Sequence, residues 1–311
     1  QTGLMAAAST ESYDLGRIKK HEFTRPVKEE DRVRNIETLN AQTGPVFLVY
    51  PSTAVIDDIL QQVSAGRPDM DVTAADGVRH ELWVLSDARL VKSLTDGFES
   101  LDALYVADGH HRSAAASRVA VERKNANPGH TGEESYNYFL SVIFPHNQMQ
   151  ILDYNRVVKD LNGMDKDSFL EKVAGAFALE KSDRPVKPAT TGEYGMYLDG
   201  GWYRLNVKSE HIPQDDPVAR LDVSLLQDNL IEPLLGISDP RRDIRIDFVG
   251  GIRGLSELEK RVDSGDWAVA FSLYPTTMEA LMAVADAGEV MPPKSTWFEP
   301  KLADGLVSHM L

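Results

Sequence analysis

Four short apolar runs constrain this chain most. PVFLVY (Pro45–Tyr50), HELWVL (His80–Leu85), ALYVA (Ala103–Ala107) and YNYFLSVIF (Tyr136–Phe144) are strand-length and rich in valine, leucine and aromatic residues. Between them, Ser52–Gly66, Asp87–Phe98 and Ser113–Lys124 space their apolar residues as helices do. Strands that alternate with helices predict an α/β layer. The opening QTGLMAAAS reads as a strand met partway, so the chain is expected to begin inside a longer protein. A block of mixed charge follows from Arg17 to Arg34, with a helix expected from Glu29 behind the breaker Pro26.

From Asp153 the texture changes. Phe169–Phe177 and Val218–Leu235 read as helices, and Glu193–Val207 as a hairpin turning at Asp199-Gly200-Gly201. IRIDFVGGIRGLSELEKRV reads as strand, glycine turn and helix, WAVAFSLYP as a strand, and Thr277–Asp286 as a helix before a loop-rich end. The expected fold class is α/β in a mixed α+β form. A first domain is expected over residues 1–155 and a second α/β region over 156–311, returning the MPPKST loop to the site of the first.

Composition narrows the chemistry. The length of 311 residues suits about two domains, and 42% hydrophobic with 26% charged residues is an ordinary globular balance. The chain has no cysteine, which excludes disulfides, thiolate catalysis and cysteine-ligated metal sites. A formal net charge of −15 argues against nucleic acid as a partner, since phosphate backbones are held by basic patches. No apolar run approaches the roughly 18 residues of a membrane span, and no segment reads as a signal peptide, so a cytoplasmic protein without a membrane partner is expected.

Four constellations can carry chemistry. In VADGHHRSAAA a strand ends at Asp108-Gly109-His110-His111-Arg112 and a helix begins. A helix N-terminus offers free N–H groups and partial positive charge to phosphate, and Gly109 permits close approach. Arg112 can fork onto phosphate oxygens, an imidazole can move a proton near neutral pH, and Asp108 can orient an imidazole or hold Mg²⁺. Two adjacent histidines do not converge on one metal ion, and no HExxH accompanies them.

In KKHEFTRPVKEEDR, position 25 is arginine, so His21-Glu22 fails the HExxH spacing. What remains is Glu22, Arg25, Glu29, Glu30 and Arg32, carboxylates beside arginines, which can supply a general base and a substrate clamp or simply form a salt-bridged helix start. MPPKSTWFEPK carries Lys294, Ser295 and Thr296 on a proline-stiffened loop without the glycines of a P-loop. DFVGGIRGLSELEK is a second, less specific glycine corner, Gly250 to Gly254.

GRIKKHEFTRPVKEEDR, YVADGHHR and MPPKSTWFEPK, in that order along the chain, resemble the DUF1015 family over nearly the whole chain. Members of that family carry a further N-terminal stretch. DUF1015 in turn resembles the ParB/sulfiredoxin-like superfamily, which includes the free serine kinases. The resemblance implies a ParB/sulfiredoxin-like nucleotide-binding core with an added C-terminal α/β region. In sulfiredoxins a cysteine stands where this chain has His110, so that chemistry is excluded here.

Free serine kinases are similar at the Asp-Gly-His-His-Arg corner. The resemblance implies phosphoryl transfer from ADP or ATP, with Mg²⁺, to a small hydroxyl such as free L-serine. Asp108, Gly109, His110, His111, Arg112 and Ser113 would then bind the nucleotide phosphates, with Asp108 also on the metal and His110 and His111 beside the reacting groups. Glu22, or in second place Glu30, would be the base. Arg25, Arg32, Lys294, Ser295 and Thr296 would hold the substrate. A non-catalytic nucleotide-binding regulator of ParB-like type and a phosphohydrolase are the alternatives.

Overall fold

The apolar run Val46–Tyr50 is the middle strand of a five-stranded sheet in the computed structural model, which describes residues 1–299 and 301–311. The chain forms two compact units: residues 1–149 together with the C-terminal segment, and residues 150–299. Both mix helices and sheet.

In chain order unit 1 contains β1 (Leu4–Ser9), α1 (Thr10–Asp14), β2 (Ile18–Lys19), α2 (Pro26–Leu39), β3 (Ala41–Gln42), β4 (Val46–Tyr50), α3 (Ala54–Ser64), β5 (Met70–Thr73), β6 (Arg79–Leu82), α4 (Ala88–Glu99), β7 (Leu104–Asp108), α5 (His110–Ala126) and β8 (Tyr138–Pro145). The sheet order is β1-β8-β4-β7-β2. β4 runs parallel to β8 and β2 parallel to β7, while β1–β8 and β4–β7 are antiparallel. One face of this sheet carries Ala8, Val46, Leu48, Tyr50, Val106, Phe139 and Ile143 into a core shared with Tyr13, Val33, Ile36, Ile56, Leu94 and the Ala115-Ala116-Val119 stripe of α5. The alanines explain how α5 lies close on the sheet: small side chains let a helix axis approach, and α5 buries Ser113, Ala115, Ala116 and Ala120.

HELWVL does not join this sheet. Arg79–Leu82 pairs with Met70–Thr73 in a separate two-stranded hairpin whose first strand is wholly exposed. Its alternation reflects one face resting on protein rather than a buried strand. α5 also starts three residues before the alanines predict, at His110, so both histidines and Arg112 are helical.

Unit 2 contains β9 (Ile151–Leu152), β10 (Tyr154–Val158), α6 (Lys166–Ala176), β11 (Phe177–Ser182), β12 (Glu193–Leu198), β13 (Gly201–Val207), α7 (Asp222–Leu226), α8 (Glu232–Leu235), β14 (Ile246–Gly250), α9 (Leu255–Asp263), β15 (Val269–Leu273), α10 (Met278–Asp286) and β16 (Trp297–Phe298). Its six-stranded sheet, β11-β13-β12-β15-β10-β14, is antiparallel throughout. Val157, Val186, Tyr197, Trp202, Val249, Leu258, Val262 and Ala270 form a core under α9. The helix expected from Val218 begins at Asp222, because the Asp216 carboxylate accepts from the Val218 and Ala219 N–H groups and holds them in a turn. A π turn, Gln227–Ile231, separates α7 from α8.

The division expected near residue 155 falls between Met149 and Gln150, and the end of the expected region 156–311 belongs to unit 1. Hydrogen bonding accounts for that return. His309–Met310 pairs antiparallel with β3, the Gly305 N–H donates to the Thr43 carbonyl at 2.8 Å, and the Asn40 side chain donates to the Leu311 carbonyl at 2.9 Å. No helix among the described residues is long and apolar enough to cross a membrane.

Candidate functional site

β7 delivers Asp108 to the end of the sheet, and the chain turns into α5 through one residue, Gly109, at φ 95°. That conformation favours glycine. A Cβ there would also stand 3.0 Å from Arg112 Nε and 3.4 Å from the Val46 backbone. Arg112 lies folded back over the turn, and a Cβ on Gly44 would meet it at 3.1 Å. Two glycines therefore make the groove that this guanidinium and the Asp304 carboxylate occupy. The Arg112 and Ser113 N–H groups both donate to the Gly109 carbonyl, which leaves those of His110 and His111 without a partner inside the helix, at its positive end.

Two side chains from the C-terminal segment complete the corner. Asp304 reaches Arg112 at 3.4 Å, and Lys301 Nζ reaches Asp108 at 3.5 Å. Arg112 Nη2 stands 4.0 Å from the same carboxylate. Lys20 adds a further positive charge near His110, and Lys28 and Arg25 lie near His111. In a chain of net charge −15 this is a local concentration of cations.

The histidines fall into two kinds. His110 is 3% exposed and packs edge-on against His21, also 3% exposed, with ring centroids 4.5 Å apart. Burial holds His21 down to about 4, partly offset by its hydrogen bond to the Val106 carbonyl. Burial, with His21, His111 and Lys20 around it, holds His110 well below the usual histidine range. Both rings are therefore neutral at pH 7. Each keeps one nitrogen without a partner, His21 Nδ1 and His110 Nε2. His111 is half-buried, and its Nε2 accepts the Arg25 backbone N–H at 3.0 Å. An amide N–H can only donate, so Nε2 carries the lone pair and the proton sits on Nδ1. This contact also ties the first turn of α5 to the start of α2, where Arg25 is the N-cap residue.

Glu22 places Oε2 at 3.8 Å from His110 Nδ1, with its side chain 60% exposed. Glu29 and Glu30 are engaged elsewhere, both by Arg118, at 3.2 and 3.0 Å, and Glu29 also accepts from Thr24 at 2.7 Å. The Arg25 side chain is exposed and forms no ion pair with a described residue, whereas Arg32 pairs with its neighbour Asp31 at 3.5 Å. Ser113 is fully buried, and its hydroxyl donates to the His110 carbonyl at 3.1 Å. That hydroxyl holds the helix start rather than facing a ligand. Lys294, Ser295 and Thr296 lie in unit 2.

His21 fails the HExxH spacing, and its structural signal is its packing on His110. Asp304 carried no signal and Lys301 stood only as the last residue of MPPKSTWFEPK, because their contacts lie 192 and 193 residues away along the chain.

A divalent ion at Asp108 would draw most of its oxygens from a ligand. Among the described residues no group of three or more histidines, aspartates and glutamates is arranged to hold a metal, and Asp108 is a single carboxylate between two cations. That suits Mg²⁺ carried on phosphates, which needs only one or two protein carboxylates. A groove of about 1440 Å³, lined by β1, the β5–β6 hairpin and residues 301–303, 306 and 307, shares Lys301 with the corner.

A family model described as a protein of unknown function, DUF1015, matches residues 1–224. No curated protein matches the chain by sequence. Among solved structures, a C-terminally truncated SbnI from Staphylococcus aureus aligns with TM-score 0.45 and 11% identity, over 96% of this chain and 85% of that one. A mutant free serine kinase in complex with AMP aligns with TM-score 0.43 and 14% identity, over 96% and 87%. A conserved hypothetical protein from Pyrococcus furiosus aligns with TM-score 0.40 and 15% identity, over 98% and 94%. Likeness at this level carries no argument about chemistry.

Proposed function

The chain belongs to the DUF1015 family, described only as proteins of unknown function, and we propose that it is a nucleotide-dependent phosphotransferase acting on a small hydroxyl compound. The observation that carries this reading is the cationic corner at Gly109. A glycine turn, a helix N-terminus, Arg112 and Lys301 converge on one place, beside an exposed carboxylate, Glu22. Phosphoryl transfer asks for little else: it depends on positioning and on charge stabilisation.

In this reading the phosphates of ADP or ATP sit on the His110 and His111 N–H groups, and Arg112 exchanges Asp304 for phosphate oxygens. Asp108 would be the one protein carboxylate on Mg²⁺, which supplies charge neutralisation when bound. The buried, neutral His21–His110 pair holds the start of α5 in place. His111, fixed with its proton on Nδ1, is a hydrogen-bond donor. Glu22 accepts the proton of the attacking hydroxyl. Glu30 would have to leave Arg118 to do so. Arg25 is the clamp for an acidic substrate, whereas Arg32 pairs with Asp31 and the Ser295 hydroxyl is held by the Pro292 carbonyl. Free L-serine is the acceptor that the motif resemblance implies.

The test is thermal melting of the full chain with Mg²⁺ and ADP, ATP, CTP or pyrophosphate, repeated with Arg112→Ala, followed by assay of phosphoserine formation. An adenine nucleotide that binds the folded state raises Tm by mass action, and the shift should vanish in Arg112→Ala. Absence of any shift with wild-type protein sinks the reading. The exposure of Glu22 favours one second reading, a phosphohydrolase with water as acceptor. It predicts phosphate release from nucleotide with no hydroxyl compound present.

A further inference from the structure

Arg112, which the reading above sets on a phosphate, holds a carboxylate of its own chain. Asp304 Oδ1 stands 3.4 Å from Arg112 Nη1. On the other side, Lys301 Nζ stands 3.5 Å from Asp108 Oδ2, and Arg112 Nη2 stands 4.0 Å from the same oxygen. Lys301, Asp108, Arg112 and Asp304 thus form a row of alternating charge, and within the row the charges cancel. An incoming anion meets a guanidinium that already has its counter-ion.

The chain keeps that carboxylate at the corner. Beyond it the backbone is pinned. The Gly305 N–H donates to the Thr43 carbonyl at 2.8 Å, His309–Met310 pairs with β3, and the Leu311 N–H donates to the Asn40 carbonyl at 3.1 Å. Gly305, at φ 83°, turns the chain immediately after the acid. Gly44 leaves it room, since a Cβ there would stand 2.7 Å from Asp304 Oδ1. A tethered group of this kind is present at its partner whatever the solution holds. The contact itself is weak. The Asp304 side chain is 65% exposed, so water and salt screen the pair. Rotation of one exposed side chain releases it.

We propose that Asp304 is a built-in competitor, an internal anion that occupies Arg112 in the unliganded protein and that a phosphate-bearing ligand must displace. This role rests on the phosphate reading of the Gly109 corner and adds the control of its affinity. Once Asp304 is displaced, Arg112 and Lys301 stand together as two cations for one polyphosphate. The opposite role, Asp304 as the group that positions Arg112 for binding, predicts an effect of opposite sign.

The experiment is isothermal titration calorimetry of the full chain with sodium pyrophosphate, and with ADP and Mg²⁺, at low ionic strength. The wild type is compared with Asp304→Asn, Asp304→Glu and Asp31→Asn. Asp304→Asn keeps the shape of the side chain and removes its charge. Loss of an exposed ion pair should tighten both ligands about two- to fivefold, and the gain should shrink as salt is added. Asp304→Glu keeps the charge and should show no gain. Asp31→Asn changes the net charge equally, at an acid that pairs with Arg32 instead, and should show none either. Unchanged binding in Asp304→Asn would overturn the proposal, and weaker binding would overturn it in favour of positioning. An equal gain in Asp31→Asn would also overturn it, as an effect of net charge alone. Should neither the wild type nor Asp304→Asn bind either ligand, the phosphate reading of the corner falls and this role with it. Binding by the wild type with no gain in Asp304→Asn removes this role alone.

Discussion

Two corners of this molecule look alike in sequence and differ in structure. In unit 1, β7 passes through Gly109 into α5; in unit 2, β14 passes through Gly250, Gly251 and Gly254 into α9. At the first, the space a Cβ would take is bounded by Arg112 and the Val46 backbone. At the second it is already filled. A Cβ on Gly250 would stand 2.5 Å from the Trp297 ring, and one on Gly251 would stand 2.1 Å from a carboxylate oxygen of Asp153. The glycines of unit 2 make room for packing and for an acid, and an acid in the corner repels phosphate. Those of unit 1 make room for an ion pair, the Arg112 guanidinium beside Gly109 and the Asp304 carboxylate beside Gly44. Glycine between a strand and a helix says that something comes close. The charge of what comes close decides whether it is a phosphate site.

The largest expected effect that sharpens this contrast is on turnover. Glu22→Gln should lower kcat about 10²- to 10⁴-fold while leaving the nucleotide-induced Tm shift in place. Retained turnover would remove Glu22 as the base. Next is binding: isothermal titration with ADP or ATP should show Arg112→Ala weakened about ten- to a hundredfold, and Arg253→Ala, the matching arginine of the second corner, unchanged. Equal losses in both would break the comparison.

Stability comes third. Gly250→Ala should cost about 1–3 kcal/mol by overpacking against Trp297 with nucleotide binding intact. Gly109→Ala should cost about 1–2 kcal/mol through its left-handed backbone and should also displace Arg112, so that nucleotide binding falls. Urea unfolding with and without nucleotide separates the two.

The pH dependence of stability should also differ between regions. His21 is held to about 4 in the folded state and titrates near 6.5 when unfolded. Between those values the unfolded chain binds more protons, so stability is complete above pH 6.5 and falls as pH drops toward 4. His110, also lowered, acts in the same direction. The urea midpoint should fall from pH 7 to pH 5, and His21→Phe should flatten that fall. An unchanged slope in the variant would mean that the buried pair is not neutral. The smallest effect is expected from Glu30→Gln. It loses a half-exposed contact with Arg118, worth under about 1 kcal/mol, and turnover should be nearly unchanged.

Much of this was legible beforehand. Val46–Tyr50, Ala103–Ala107 and Tyr136–Phe144 announced strands because buried strands need unbroken apolar runs, and Asp199-Gly200-Gly201 announced its hairpin because that turn needs positive φ. His80–Leu85 misled because a hairpin resting one face on protein has the alternation of a sheet strand. Glu22 and Glu30 could not be told apart by spacing. Only the Arg118 contacts separate them, and those span 89 and 88 residues of chain.

The sequence by itself determined the local chemistry: the order of strands and helices, the absence of thiols, the glycine turn and the run of His110, His111 and Arg112. Periodicity, composition and backbone freedom act within a few residues, so they are written in order along the chain. Tertiary structure decided which groups are neutral, which are paired and which are left over. It buried His21 against His110, brought Lys301 and Asp304 back to Gly109, and filled the second glycine corner with Asp153. Burial and pairing are set by neighbours distant in sequence, and only folding chooses those neighbours.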